Sequence, residues 1–396
     1  MKKNDELLHK LKNEFILQYG NSKNEILIAA APARINIIGE HIDYNGGKVL
    51  PAAVNLFLFA VLRKRTDTKI FYKSKGKNES FEFDINEHFK FDSKNNFANY
   101  LNGMLKYLKE AGLHINCGFE VFITSSIPEG SGLSSSAAVE AAFGTGVCAL
   151  FDFHTDKIDL AKIGKRVENE FFGLSSGIMD QFSIIMGEKN HAILLNTSSL
   201  DYEYVPIDIE PYKIVIMNSN KPRKLTESKY NERKEECDNA LAFLKQLREI
   251  YSLCELTFGE YKKIELQLKN SCGETIVKRV RHCVTENERV AKTAAALKKN
   301  NLYECGKLLC ESHISLKDDY AVTGKELDSL FFAAVNQKGC IGARMTGAGF
   351  SGCAIALVHK NYIEQFSYTV GKIYKTETGL TASFFPCSIE DGVRMI

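Results

Sequence analysis

Apolar residues recur along the chain at two spacings, and each spacing predicts an element. Leu7, Leu8, Leu11 and Phe15 share one face of a helix over 5–19, which Gly20 can cap. Residues 26–30 read as a short buried strand, 49–62 as a longer apolar stretch, and 69–73 alternate as a half-buried strand does. A helix is expected over 97–111, closed by Gly112, and a strand over 119–124. A glycine-rich loop over 128–133 runs into an alanine-rich helix over 134–150, and a second helix spans 160–172. Strands follow at 191–195 and 213–217.

The second half opens with a charged helix over about 226–251, followed by helical patterns at 275–299 and 302–316. A glycine-rich turn over 339–352 leads into a strand at 353–358. Strands and helices interleave, which predicts an α+β protein with mixed α/β layers. The chain holds no Pro/Gly/Ser linker, repeat or low-complexity tract, so a boundary near residue 205 is soft and divides the chain into 1–205 and 206–396.

Composition narrows the class. The 396 residues suit roughly two to three domains of ~150 residues. Lys and Arg number 51 against 49 Asp and Glu, so there is no basic excess of the kind a nucleic-acid binder carries. The most apolar stretch, 52–62, is about half the ~20 residues of a membrane span. The amino end has no apolar segment of the secretory type, and a cytoplasmic location with no membrane partner is expected. Eleven cysteines include no C-x-x-C pair, and the nine histidines form neither H-x-x-x-H nor H-E-x-x-H, so reduced thiols are expected rather than zinc or a disulfide framework.

Three polar motifs interrupt the apolar pattern. In 31–47, A-P-A-R-I-N-I-I-G-E-H-I-D-Y-N-G-G, the residues Arg34, Asn36, Glu40, His41, Asp43, Tyr44 and Asn45 crowd beside a strand. Carboxylates that accept and amides or imidazoles that donate suit a hydroxyl-rich ligand, although N-G-G is equally ordinary turn chemistry. In 128–138, P-E-G-S-G-L-S-S-S-A-A, glycines let the backbone approach an anion and the next helix aims its N–H groups at it. This is neither a Walker A loop nor a dinucleotide fingerprint, and an N-capped helix is the plainer alternative. In 344–352, R-M-T-G-A-G-F-S-G, three glycines precede a strand, and taken alone this reads best as a tight hairpin turn. Between the second and third motifs, Asp180 stands alone in the apolar run G-I-M-D-Q; if buried it needs a cation, and Arg34 is the natural partner.

In this order the three motifs resemble those of the GHMP small-molecule kinases, and the first resembles the galactokinase signature. The likeness continues through 168–181 (E-N-E-F-F-G-L-S-S-G-I-M-D-Q), 218–237, 281–289 (R-H-C-V-T-E-N-E-R) and 311–320 (E-S-H-I-S-L-K-D-D-Y), nearly the whole chain. The resemblance implies two domains: an N-terminal α/β domain with a left-handed βαβ unit, an exception to the usual hand, and a C-terminal ferredoxin-like domain, with the site in the cleft between them. It implies transfer of the γ-phosphoryl of ATP to the C1 hydroxyl of α-D-galactose. Gly130, Ser131, Gly132, Leu133, Ser134, Ser135 and Ser136 would cradle the triphosphate, and Ser74 would line the nucleotide pocket. Ser136 and Glu168 would hold Mg²⁺. Glu40, His41, Ile42, Asp43, Gly177 and Tyr230 would bind the sugar, Asp180 would accept the proton of the attacking hydroxyl, and Arg34 would keep Asp180 ionised. Its partners are then galactose and ATP, acting on a monomer.

The chain departs from the family pattern at Ala33 and Ser351, where Gly is usual, and at Phe57-Leu58, where Gly-Thr is usual. None is a proposed catalytic group. Two alternatives share the loop chemistry. One is a kinase of N-acetylgalactosamine, galacturonate or arabinose. The other is a galactose sensor without catalysis, which the intact Ser136, Ala137, Asp180 and Arg34 disfavour.

Overall fold

The computed structural model describes the backbone of residues 2–222 and 226–396 and the side chains of residues 5–222 and 229–396. Three positions of the stretch 218–237, residues 223–225, therefore lie outside the described residues.

The first sheet follows from continuous apolar runs. Its six strands lie in the order Arg394–Met395, Ile26–Asn36, Pro51–Lys64, Phe119–Ser125, Lys69–Ser74 and Ser80–Asp84. Neighbours are antiparallel except Lys69–Ser74 and Phe119–Ser125, which run parallel. Side chains alternate between the faces. Ile28, Val61 and Phe122 meet Leu11 and Phe15 of the helix Lys2–Tyr19. The intervening Ala60, Leu62, Val121 and Ile123 join the main core, with the helices Ala98–Glu110 and Ser135–Leu150 packed behind them.

The strand expected to stop at residue 30 runs to Asn36, through Pro32. A bulge makes this possible. Pairing shifts between Pro32, opposite Phe57, and Ala33, opposite Val54, so the partner strand absorbs two extra residues where proline cannot donate. The extension carries Arg34 to the edge of a cavity and buries Asn36 against Thr346 rather than leaving them on a loop. The departures at Ala33 and Leu58 are buried core positions, while Phe57 lies beneath the Arg394 guanidinium at 5.3 Å.

The second sheet is antiparallel throughout, in the order Cys340–Thr346, Cys353–His359, Tyr212–Asn218, Ser383–Cys387. The helices Leu302–Ser315, Gly324–Val335 and Ile363–Thr378 pack on it. A third sheet of Lys48–Val49, His191–Asn196 and Tyr202–Pro206 leans on the long helix Glu274–Lys298 of the second half. One hydrophobic core runs through both halves. The chain passes between sheets after Tyr202–Pro206, and its last strand, Arg394–Met395, returns to the first sheet beside Ile26–Asn36.

The helix expected over 160–172 divides. An α-helix, Lys157–Arg166, is capped by Asp156, whose carboxylate accepts the Ile158 N–H at 2.7 Å. A wider π turn, Val167–Phe171, continues it and turns Glu168 toward the cavity. No helix among the described residues is long and apolar enough to cross a membrane.

Candidate active site

A cavity of about 640 Å³ opens between the two halves. At its floor, Arg34 makes a two-pronged ion pair with Asp180. Nε donates to Oδ1 at 2.8 Å and Nη2 to Oδ2 at 2.9 Å. Nη1 donates to the Gly132 carbonyl at 2.9 Å, and the Ser134 hydroxyl donates to Asp180 Oδ2. One guanidinium, 4% exposed, thus joins the strand Ile26–Asn36, the glycine-serine loop and the helix Met179–Met186, whose first turn carries Asp180. Asp180 keeps 28% of its side-chain surface open to the cavity.

The first motif makes one wall. His41 sits in the left-handed backbone region at φ 63°, a conformation that non-glycine residues adopt mainly at tight or functional turns. Its Nε2 lies 3.2 Å from the Ala348 carbonyl and its Nδ1 2.7 Å from the Tyr44 hydroxyl. A carbonyl only accepts, so Nε2 carries the hydrogen and Nδ1 accepts from Tyr44. Burial lowers the His41 pKa to about 3, so the ring is neutral. It packs against Tyr230 and Tyr320 at centroid distances of 5.5 and 4.9 Å. Glu40 accepts the Gly347 N–H at 3.0 Å and forms a buried ion pair with Arg344.

Asp43 begins a short 3₁₀ turn and faces the cavity beside Gly177. A Cβ on Gly177 would fall 2.6 Å from Asp43 Cγ and closer still to Oδ2, so only glycine lets the two segments meet. Burial, then the charge of Asp180, pushes the Asp43 carboxyl up to about 7. Tyr230 is held well above the usual phenol range by burial and then by Asp43, Asp180 and Glu168.

The glycine-serine loop brings Ser136 to the cavity lining, while Gly130, Gly132 and Ser134 do not line it; Gly132 and Ser134 stand behind the Arg34–Asp180 pair. Gly130 and Gly132 have φ of 67° and 77°, and Ser134, at 59°, turns the chain into the helix Ser135–Leu150. The third motif closes over this loop: a Cβ on Gly347 would stand 3.0 Å from the Gly132 carbonyl. Ser136 donates to Glu168 Oε1 at 3.2 Å, and Ser176 donates to Oε2 at 2.7 Å. Burial, then the Asp180 charge, raises the Glu168 carboxyl. An under-compensated carboxylate beside a hydroxyl is a hard oxygen set that fits Mg²⁺. Among the described residues no group of three or more His, Cys, Asp or Glu could hold a metal by itself, so such an ion would complete its shell with water or other oxygen ligands.

A second cavity of about 880 Å³ shares Tyr100 and Leu174 with the first. Phe91, Phe97 and Phe172 line it, with the Tyr100 and Phe172 rings stacked at 4.5 Å. Lys77 on its rim pairs with Glu129 of the loop at 2.8 Å.

Family models agree with this layout. The galactokinase galactose-binding signature matches residues 13–64, the GHMP kinase N-terminal domain 99–188 and the GHMP kinase C-terminal domain 293–376. The galactokinase of Staphylococcus carnosus (strain TM300) is 45% identical over 392 residues, covering 98% of this chain and 100% of that protein. This chain belongs to the galactokinase family. A crystal structure of Lactococcus lactis galactokinase complexed with galactose superposes with a TM-score of 0.94 at 44% identity, covering 98% of this chain and all of that one. A mevalonate kinase of Methanococcus jannaschii, 20% identical, matches in fold with a TM-score of 0.65 over 93% of this chain and 100% of its own.

In this member of the galactokinase family, the main cavity gathers Arg34, Glu40, His41, Asp43, Ser136, Glu168, Gly177, Asp180 and Tyr230. Other expected residues fall elsewhere. Ser74 lines neither cavity: it ends a strand, and its carbonyl accepts the Lys77 N–H at 3.2 Å, while residues 76–79 line the second cavity. Ile42 and Leu133 put their side chains into the core and offer only backbone to the site. Ser131 is buried, and Ser135 points to solvent. Sequence reasoning missed Tyr100, Ser176, Asn231, Gly347 and Ala348 on the cavity wall. Gly347 and Ala348 lie in the third motif, whose glycines serve the hairpin and the site together. Asn231 adjoins Tyr230, whereas Tyr100 carried no signal beyond a helical pattern.

Proposed function

We propose that this chain is an ATP-dependent sugar kinase that transfers the γ-phosphoryl of ATP to the C1 hydroxyl of α-D-galactose, giving galactose 1-phosphate and ADP. The observation that carries the reading is the Arg34–Asp180 pair, set between a carboxylate-rich wall and a glycine-serine loop at a helix N-terminus. Asp43, Glu40 and Tyr230 receive the sugar hydroxyls. His41, with both ring nitrogens engaged, shapes the wall through its ring face. Asp180 accepts the proton of the attacking hydroxyl, and Arg34 orients it through the two-pronged pair. Phosphoryl transfer asks mainly for positioning and electrostatics, so the two-pronged geometry matters as much as basicity.

The loop N–H groups between Gly130 and Ser136 receive the phosphates, and the aromatic second cavity takes the base. Ser136 and Glu168 hold Mg²⁺, which when bound supplies positive charge to the phosphoryl oxygens. The division at 205/206, a monomeric state and a cytoplasmic location complete the proposal; the eleven free cysteines agree with a reducing compartment. A coupled ADP-release assay with a sugar panel tests it. Galactose should exceed glucose by at least about 10²-fold in kcat/KM, because an inverted hydroxyl strands a desolvated acceptor. Faster turnover of N-acetylgalactosamine, galacturonate or arabinose, or no ADP release with any sugar, would replace this reading.

A further inference from the structure

We propose that Arg344 is a positioning residue for sugar recognition, reaching from the second sheet to fix the Glu40 carboxylate in the cavity wall. The third motif supplied Arg344 as part of a turn, yet it belongs to the strand Cys340–Thr346 and is fully buried. It is absent from the cavity lining, so it touches no substrate.

Its guanidinium is spent on the first motif. One terminal nitrogen, Nη2, forms the ion pair with Glu40 Oε2. The other, Nη1, donates to the Asn36 and Ile37 carbonyls at 3.2 and 3.1 Å. Nε donates to Ser312 Oγ at 3.2 Å, and that hydroxyl donates to Glu286 at 2.6 Å. Glu286 in turn accepts the Gly39 N–H at 3.0 Å, and His282 Nε2 lies 3.1 Å from the Glu40 carbonyl. Residues 36–40 are therefore held at backbone and side chain by groups from the second half, with Arg344 at the centre.

The consequence lies in the direction of Glu40. A carboxylate has about four lone-pair positions. Arg344 engages Oε2 and the Gly347 N–H engages Oε1, which leaves the remaining positions free on a side chain that lines the cavity. A planar fork fixes that orientation, and a lysine ammonium, a single point charge, cannot reproduce it.

The inference rests on the reading that Glu40 accepts a sugar hydroxyl, and the test separates the two. Wild type, Glu40→Gln, Arg344→Lys and the double variant are assayed with galactose and each monodeoxygalactose at saturating ATP. Glu40→Gln should lose at least about tenfold of the discrimination against one deoxy sugar. Arg344→Lys should lose discrimination at that same hydroxyl, with the KM for ATP within about twofold. The double variant should be no worse than Glu40→Gln alone. If Glu40→Gln keeps the wild-type profile, Glu40 does not read the sugar and the inference falls with that reading. If Glu40→Gln loses it while Arg344→Lys keeps it, Arg344 does not position Glu40 and only the inference is overturned. Should Arg344→Lys fail to fold, Ser312→Ala removes the Nε acceptor and keeps the charge pair. It should show a smaller loss at the same hydroxyl, and an unchanged profile there overturns the inference.

Discussion

Gly177→Ala displaces the Asp43 carboxylate without altering its charge, and so asks whether its position reads the sugar. The added Cβ would lie 2.6 Å from Asp43 Cγ and 3.1 Å from its Cβ, inside the 3.4 Å at which ordinary contact begins. Gly177 does not occupy the left-handed region, so alanine brings no backbone strain and the collision is the whole perturbation. The carboxylate must retreat by roughly 1 Å, and a misplacement of that size costs about 10²-fold. That is a loss of about 2.7 kcal/mol of transition-state binding. Gly177→Ala should therefore lower kcat/KM for galactose about 10²-fold, chiefly through KM, with the KM for ATP within about twofold. Initial rates at saturating ATP with galactose varied would measure it, and a thermal melt would confirm a folded chain. Asp180 stands three residues on, so the double variant Asp43→Ala/Gly177→Ala decides which group was disturbed. With the collision removed it should match Asp43→Ala alone. A native melt with wild-type KM for galactose would refute the argument, as would a double variant much slower than Asp43→Ala.

Asp180→Asn should lower kcat by about 10²–10⁴-fold or more, while calorimetry still detects galactose and ATP binding; near-wild-type kcat would remove Asp180 from proton transfer. Glu168→Gln should raise the Mg²⁺ concentration needed for half-maximal rate more than Ser136→Ala does, since it removes a full charge rather than a dipole; unchanged titrations for both would rule out the metal site. Asp43, pushed up to about 7, is the stronger acceptor when ionised. Wild-type kcat/KM for galactose should therefore climb as pH rises through 7 and level above it, and Asp43→Asn should flatten that limb. The buried Ser351 hydroxyl has no hydrogen-bond partner among the described residues. Ser351→Ala should stabilise the chain by about 1 kcal/mol with turnover within about twofold; a lower melting temperature would show that the hydroxyl is satisfied.

Much of the site was legible because its chemistry lies in contiguous segments. Glu40, His41 and Asp43 are near neighbours in sequence, and a lone Asp in an apolar run demanded a cation, which joined Arg34 to a residue 146 positions away. Elements governed by tertiary pairing were less legible. The strand expected over 26–30 runs on through Pro32 to Asn36, with a bulge in the partner strand at the proline. The helix Met179–Met186 is too short to show a period. The helix Phe258–Cys272 was missed, because its signal is capping chemistry rather than apolar spacing. Its Thr257-x-x-Glu260 capping box is complete, with Glu260 accepting the Thr257 N–H at 2.8 Å, yet few of its side chains are buried. The inward role of Arg344 was hidden for a related reason: a sequence gives the residue, but not that Glu40 lies opposite.

The charge balance of the cavity explains why substrates must bring compensation with them. Asp43, Glu168 and Asp180 line the same space, and Glu140 stands behind it, joined to Gln181 at 3.1 Å. Burial, then the charges of Glu168 and Asp180, holds Glu140 well above the ordinary carboxylate range. Arg34 is already committed to Asp180. The remaining carboxylates respond by rising, Asp43 toward neutrality and Glu168 in the same direction. A neutral sugar relieves Asp43 by donating hydroxyl hydrogens to it. A bare polyphosphate would add like charge beside Glu168, which a divalent cation reverses. Removing the Glu168 charge should thus weaken binding of ATP with Mg²⁺ while leaving binding of ATP alone unchanged or tighter. A site that merely tolerated the metal would show the two shifting together.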